Sequence, residues 1–288
     1  MPILDPIIIL ADNGSTKATA TLQLRSIAQQ LSERTKQKIH PVSLQHADII
    51  SADELGGVKA SVLNAFLREQ LELEEREFII LPLFFGNSRA LTKFIPDTQA
   101  ELEEEFGKFN LAITDTLYAP PHPLLGSDTM LAKIIADHIQ QTSKIFSLPL
   151  KNIVLVDHGS PSLEITAVRS GVAEEAQAMI GQSIEQAAME RRSGKQYDFN
   201  GELLEDWLCN KAEQGVSGAL VALLFSLPGR HAGEGGDIVT ICDSVMQRYP
   251  NFNIGISPLV GEHPLLLEIL SDRLNAYTGA LAKARNNL

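Results

Sequence analysis

The chain has 288 residues, 44% of them hydrophobic and 21% charged, the balance of a soluble globular protein with apolar material for one large or two medium domains. A formal net charge of −12 and the lack of any run of Lys and Arg disfavour a nucleic-acid partner. The opening MPILDPIIILADNG has only four consecutive apolar residues, Ile7 to Leu10, too few for a signal peptide or a membrane span, and the two cysteines, Cys209 and Cys242, are too few for a disulfide framework or an all-cysteine cluster. A cytoplasmic protein with no membrane partner is expected.

From the start, Pro6 to Ala11 reads as a strand, Ala18 to Arg34 as a helix, Ile39 to Gln45 as a strand and Val58 to Glu74 as a helix. Phe78 to Phe85 is a third strand, a helix opens at Pro96 and Asp97, and Leu111 to Tyr118 is a fourth strand. Pro120, Pro121 and Pro123 break the chain before a helix from about Leu124 to Gln141. The segment Thr142 to Lys151 lacks a period, so the boundary between a first half, 1–145, and a second, 146–288, is expected near Ile145.

The pattern then restarts. Strands are expected at Asn152 to Val156, Ile184 to Met189, Gly218 to Phe225 and Asn253 to Ser257. They alternate with helices at Leu163 to Met179, Glu202 to Lys211, Ile238 to Tyr249 and Pro264 to Ala284. The letters repeat as well: IIILADNGS from Ile7 answers IVLVDHGS from Ile153, and PPHPLL from Pro120 answers GEHPLL from Gly261. The fold expected is α/β, two doubly wound domains each with a four-stranded parallel sheet, related by a pseudo-two-fold.

The most informative stretch is Leu220 to Ile238, LVALLFSLPGRHAGEGGDI. An apolar run without alternation reads as a strand covered on both faces; Pro228 ends it, and Gly229, Gly233, Gly235 and Gly236 let the backbone turn tightly. Asp237 is expected to cap the following helix, and His231 lies on the loop, at the carboxyl end of a strand where ligands bind in open α/β sheets. His158 in DHGS and Glu190 in AMERR occupy comparable strand ends. Two imidazoles and a carboxylate suit a first-row divalent metal with positions open to a substrate, and all three are candidate proton acceptors. Singly, each has a plain structural reading: a strand-end His bonded to a loop carbonyl, or Glu190 paired with Arg191 or Arg192. In the first copy they align with Asn13, Gln45 and Ala90, so the ionisable trio is lost together, which favours one working site and one silent copy.

DHGS, LLFSLPGRHAGEGGDI and PLVGEHPLLLEIL resemble the motifs of the class II chelatases of the CbiX and SirB type, strongly over 152–288 and weakly over 1–145, as two fused copies. The resemblance implies insertion of a divalent metal (cobalt, iron or nickel) into sirohydrochlorin between two halves of a single chain, a monomer with an internal pseudo-dimer and no organic cofactor. It implies His158, Glu190 and His231 as metal donors, with His158 or His231 taking a pyrrole proton. A carboxylate-rich tetrapyrrole calls for local positive charge, for which Arg230, Arg89, Arg191 and Arg192 are candidates. The Gly159-Ser160 and Gly14-Ser15 turns are candidates for free backbone N–H groups, with Gly229 and Ser160 expected beside the substrate. His263 has a counterpart in His122 and is expected to fix a loop, while an insertion around Ser193 to Gly201 departs from the shorter family pattern. A non-catalytic tetrapyrrole or metal carrier is the alternative; a nucleotide or sugar binder is disfavoured by the absence of GxGxxG after the first strand and of GxxxxGK[ST].

Overall fold

Strand β1, Ile7–Asp12, is buried along almost its whole length, which a chain tolerates only in a parallel sheet covered on both faces. A computed structural model describes residues 6–119 and 128–286 and shows such a sheet in the order β2-β1-β3-β4, with β2 at Ile39–Ser43, β3 at Glu77–Pro82 and β4 at Asn110–Ile113. All its pairings are parallel. Helices α1 (Ala18–Thr35), α2 (Leu63–Glu72) and α3 (Ile95–Phe106) connect the strands. The helix expected from Val58 begins only at Leu63, because Ser43 and Val62 form a β-bridge that holds the preceding residues extended.

Helix α4 (Met130–Phe146) precedes the second sheet. Strands β5 (Ile153–Asp157), β6 (Ile184–Ala188), β7 (Glu202–Leu203), β8 (Gly218–Leu223) and β9 (Asn253–Ile256) follow, interleaved with α5 (Leu163–Ile180), α6 (Leu204–Glu213) and α7 (Asp237–Arg248), and α8 (Leu265–Asn286) closes the chain. The sheet order is β7-β6-β5-β8-β9, five strands where four were expected. The extra one is the two-residue β7, within the stretch read as helix from Glu202; the inserted segment returns along β6 and pairs there, Ala187 with Glu202 and Ala188 with Leu203, before α6 can start.

Two compact units form: Met1–Leu117 with Leu267–Leu288, and Tyr118–Leu266. The strands separate as the repeat suggests, but the compact units do not follow the expected 1–145 and 146–288 cut. Helix α4 packs within the second unit on β8, β9 and α5, through a face that includes Leu131, Ile134, Ile135 and Ile139. Gly218 and Gly255 make room for it: a Cβ on Gly255 would stand 3.0 Å from Thr142 and 3.1 Å from Phe146, and one on Gly218 2.6 Å from Leu148. Helix α8 belongs to the first unit, where the buried Arg273 donates from Nε to the Thr116 carbonyl (2.8 Å) and from Nη2 to that of Leu117 (3.0 Å). Among the described residues no helix is long and apolar enough to cross a membrane. His122 and the proline break lie outside the described residues.

His263 behaves as the loop-fixing group expected of it, its Nδ1 accepting the Leu265 N–H (3.2 Å), and its ring stacks edge-on against His138 at 5.2 Å. His138 is 3% exposed, and burial, with the His263 charge acting in the same direction and Asp137 opposing, pushes its pKa from 6.5 down to about 4. A folded pKa below the unfolded one means that the neutral ring's contribution is complete above pH 6.5 and is lost as pH falls toward 4. The loss is at most about 3 kcal/mol at ~1.36 kcal/mol per pKa unit. Urea denaturation of the wild type should therefore show stability falling across this window, and His138→Phe should flatten the fall; identical pH profiles would show that another group controls it.

Candidate metal and substrate site

Strands β5 and β8 are neighbours whose connections leave in opposite directions along the sheet, so their carboxyl ends flank a topological switch point, where such folds bind ligands. His158 follows β5 and His231 lies on the loop after β8, so both rings meet there. Their centroids are 4.6 Å apart at an interplanar angle of 79°.

The His158 turn is set by backbone. The Met189 N–H donates to the Asp157 carbonyl (2.8 Å) and the Glu190 N–H to that of His158 (3.1 Å), which draws Glu190 alongside. Between them Gly159 has φ +88°, and a Cβ there would stand 1.8 Å from the Glu190 carbonyl oxygen, so only glycine fits. The first unit repeats this geometry: Gly14 has φ +90° with the Gln45 oxygen 1.8 Å from its ideal Cβ, and the Leu44 N–H donates to the Asp12 carbonyl. Gln45 thus stands where Glu190 stands, and Asn13 precedes its glycine as His158 does, despite the insertion after Glu190.

His231 is held at the start of α7. Its carbonyl accepts the Ile238 N–H (3.0 Å), and Nδ1 lies 2.6 Å from Asp237 Oδ2. Gly236, not Asp237, is the N-cap of α7; the Asp237 carboxylate reaches back to the imidazole instead of capping the helix. A carboxylate can only accept from the neutral ring, so Nδ1 carries the proton and Nε2 presents its lone pair.

The same logic applies to His158. Nδ1 is 3.1 Å from the Gly159 carbonyl, which can only accept, and Nε2 is 3.4 Å from Glu190 Oε1. In the neutral ring, Nε2 and the carboxylate are two acceptors facing each other, an arrangement that a proton or a metal cation relieves. The side chains of His158 and Glu190 are 47% and 61% exposed and that of His231 29%, open enough for a flat ligand. Among the described residues no three His, Cys, Asp or Glu side chains stand close enough together to hold a metal ion as placed; His158 neighbours both His231 and Glu190 without the three converging on one point. Metal–nitrogen bonds of about 2.0–2.1 Å require the side chains to rotate before the donors share one point.

The other expected site residues divide. Arg230 is exposed and makes no ion pair among the described residues, and Arg89, exposed in the first unit, immediately precedes the π-helical turn Ala90–Phe94. Gly229 donates its N–H to Ala232 and shapes the His231 loop. Arg191 is drawn away to the Gly201 carbonyl (3.0 Å) and Asp198 (3.5 Å), and Arg192 lies over the Tyr197 ring. The expectation of free N–H groups at the Gly159-Ser160 turn fails. The Gly159 N–H donates to Asp157 Oδ1 (3.0 Å), that of Ser160 to Asn200 Oδ1 (2.8 Å), and that of Ser162 to Ser160 Oγ (3.0 Å). The first two are consumed by the buried Asp157 and Asn200, which the sequence does not single out, and the third by Ser160 itself, which leaves the Ser160 hydroxyl hydrogen.

Asp157, Arg169 and Asn200 are the residues it missed. Arg169 sits on α5 in line with buried Thr166, Val172, Ala173 and Ala176, and a charge on an apolar helical stripe was the available signal.

The arrangement has close structural likenesses. SirB from Bacillus subtilis, solved with Fe3+, matches with a TM-score of 0.65 and 12% identity over 94% of this chain and 95% of that one. SirB from Bacillus subtilis subspecies spizizenii, in complex with cobalt, matches at 0.63 with 11% identity over 94% of each chain. CbiX, the terminal enzyme for siroheme biosynthesis in denitrifying bacteria, matches at 0.56 with 14% identity over 94% of this chain and 99% of that one. No curated protein matches the sequence. The fold is the one these SirB and CbiX structures share. Residues 152–277 match the CbiX family model.

Gly159→Ala and Gly14→Ala should each destabilise the protein by about 2 kcal/mol or more, since a left-handed backbone and an overlap with a carbonyl oxygen both penalise a methyl group. Thermal denaturation reads this directly, and an unchanged midpoint in either variant would mean that the turn can rearrange.

Proposed function

We propose that this protein inserts a divalent metal, cobalt or iron, into sirohydrochlorin, with His158, Glu190 and His231 of the second half as the working donors and the first half as a silent copy. The observation that carries the reading is the meeting of these three side chains at the switch point of a domain that matches the CbiX family. The solved relatives named above hold Fe3+ and cobalt, metals that imidazole nitrogen and carboxylate oxygen accept, as they accept nickel.

Insertion requires the metal to be delivered to one face of the macrocycle while two pyrrole protons leave. His231 presents Nε2 with its tautomer and ring orientation held by Asp237. His158 and Glu190 together form a pair that prefers a cation between them. Once the metal passes to the ring, these same groups regain lone pairs and can take the released protons, a general-base role for which reach of about 3 Å suffices. Arg230 and the Ser160 hydroxyl suit the substrate's carboxylates. Because one chain supplies both sheets, a monomer is the simplest working form; two cysteines without a disulfide, one of them with a thiol that burial pushes up to about 12, fit the cytoplasm.

The test is the visible spectrum of sirohydrochlorin incubated with the protein and Co2+, Fe2+ or Ni2+. Wild type should accelerate insertion, His158→Ala and His231→Ala should each lose about 100-fold or more, Glu190→Gln should be intermediate, and Asn13→Ala should change little. Metal uptake without product would make the protein a carrier instead. Equal losses from Asn13→Ala and His158→Ala would remove the distinction between working and silent copies. Asp237→Asn should weaken Co2+ binding about 10–100-fold by freeing the His231 ring, as titration of the cobalt absorption would measure.

A further inference from the structure

We propose that Asp157, Arg169 and Asn200 form a buried clamp whose role is to position His158; the inference rests on the reading of His158 as a metal donor. The two residues that follow His158 are held by side chains through their backbone groups. Asp157 Oδ1 accepts the Gly159 N–H (3.0 Å), and Asn200 grips Ser160 from both directions, its Oδ1 taking the N–H and its Nδ2 donating to the carbonyl, each at 2.8 Å. Asn200 is fully buried and uses its remaining capacity on Thr166 Oγ1 (3.3 Å) and the Tyr197 carbonyl (3.1 Å).

Arg169, 2% exposed, joins the parts. Nη1 donates to Asp157 Oδ1 (2.5 Å) and the Ala187 carbonyl (2.9 Å), and Nη2 to the Asn200 carbonyl (2.6 Å). One guanidinium therefore ties the end of β5 to β6 and to the inserted segment that carries Asn200. That insertion, absent from the shorter family pattern, here acquires a task.

The first unit shows the same turn without the clamp. Asp12 occupies the place of Asp157 and is equally buried, but Leu24 stands in line with Arg169. Counting back from the matching pairs Ser43–Val62 and Ala188–Leu203, the exposed Lys59 stands in line with Asn200. Asp12 Oδ1 and Thr21 Oγ1, the latter in line with Thr166, are left buried without partners. The half that lacks the histidine also lacks the clamp, although both halves keep the glycine, the serine and the strand. A fold-only role for the clamp would be needed equally in both. A donor that must meet a metal within about 0.5 Å needs its backbone held to that tolerance.

The experiment compares wild type, Asn200→Ala, Asn200→Asp and the double variant Asp157→Asn/Arg169→Leu, which removes the charge pair without leaving either charge buried alone. Co2+ titration followed by its visible absorption, and the nitrogen-15 resonances of the His158 ring, are read on the full chain beside the thermal midpoint. Expected are Co2+ binding about 10–100-fold weaker with an altered spectrum in Asn200→Ala and the double variant, partial recovery in Asn200→Asp, and exchange-broadened His158 resonances. If Asn200→Ala does not fold, the double variant decides. Variants with a lowered midpoint but unchanged cobalt spectrum, affinity and ring resonances would overturn the clamp. If wild type and His158→Ala bind cobalt identically, the metal-donor reading has failed, and the ring resonances alone then decide whether Asn200 positions His158.

Discussion

The second unit is organised around one ion pair from which water is excluded. Removing a carboxylate and a guanidinium from water costs several kcal/mol per ion, and the cost is recovered only when geometry is close and nearly every donor is used. Arg169 meets that demand with Asp157, two carbonyls and a longer contact to Gln186 Oε1 (3.4 Å). Burial pushes the Asp157 carboxyl above its ordinary pKa, and the guanidinium is the main force pulling it back. Removing one partner of such a pair costs about 3–5 kcal/mol, so β5, β6, α5 and the inserted segment are held in register at a single point beneath the His158 turn.

The first unit shows what the same sheet becomes when that point is not maintained. With Leu24 at the position in line with Arg169, burial again raises the Asp12 carboxyl's pKa, opposed now by the Ser43 hydroxyl and local backbone instead of a cation. A pocket of about 120 Å³, open to solvent and lined also by the exposed Val58 and Lys59, lies beside Thr21, Leu24 and Ser43. A buried polar atom without a partner costs about 1–3 kcal/mol, a burden that a large core absorbs while the turn need not be aimed at anything. The glycine persists because the chain cannot close the turn otherwise.

The second histidine depends on a different device. Asp237 opens α7, yet its carboxylate is spent on the imidazole of the loop before it, so helix start and ring orientation are fixed together. The two histidines are thus held by independent means, buried side-chain bonds to the turn for one and a helix-start carboxylate for the other, converging at the junction of β5 and β8.

Much of this was legible in the residues themselves. Uninterrupted apolar runs such as Ile153 to Val156 determine buried parallel strands, glycines at positive φ determine turns, and the repeat determines two sheets with His158, Glu190 and His231 at strand ends. The tertiary structure alone decided that β7 adds a fifth strand, that α4 packs in the second unit and α8 in the first, that Asp237 serves a histidine, and that Asn200 consumes the Ser160 N–H. The reason is physical: periodicity and turn chemistry act over a few neighbouring residues, whereas the partner of a buried polar group, 40 residues away in the case of Ser160 and Asn200, is chosen by which surfaces meet once the chain is packed.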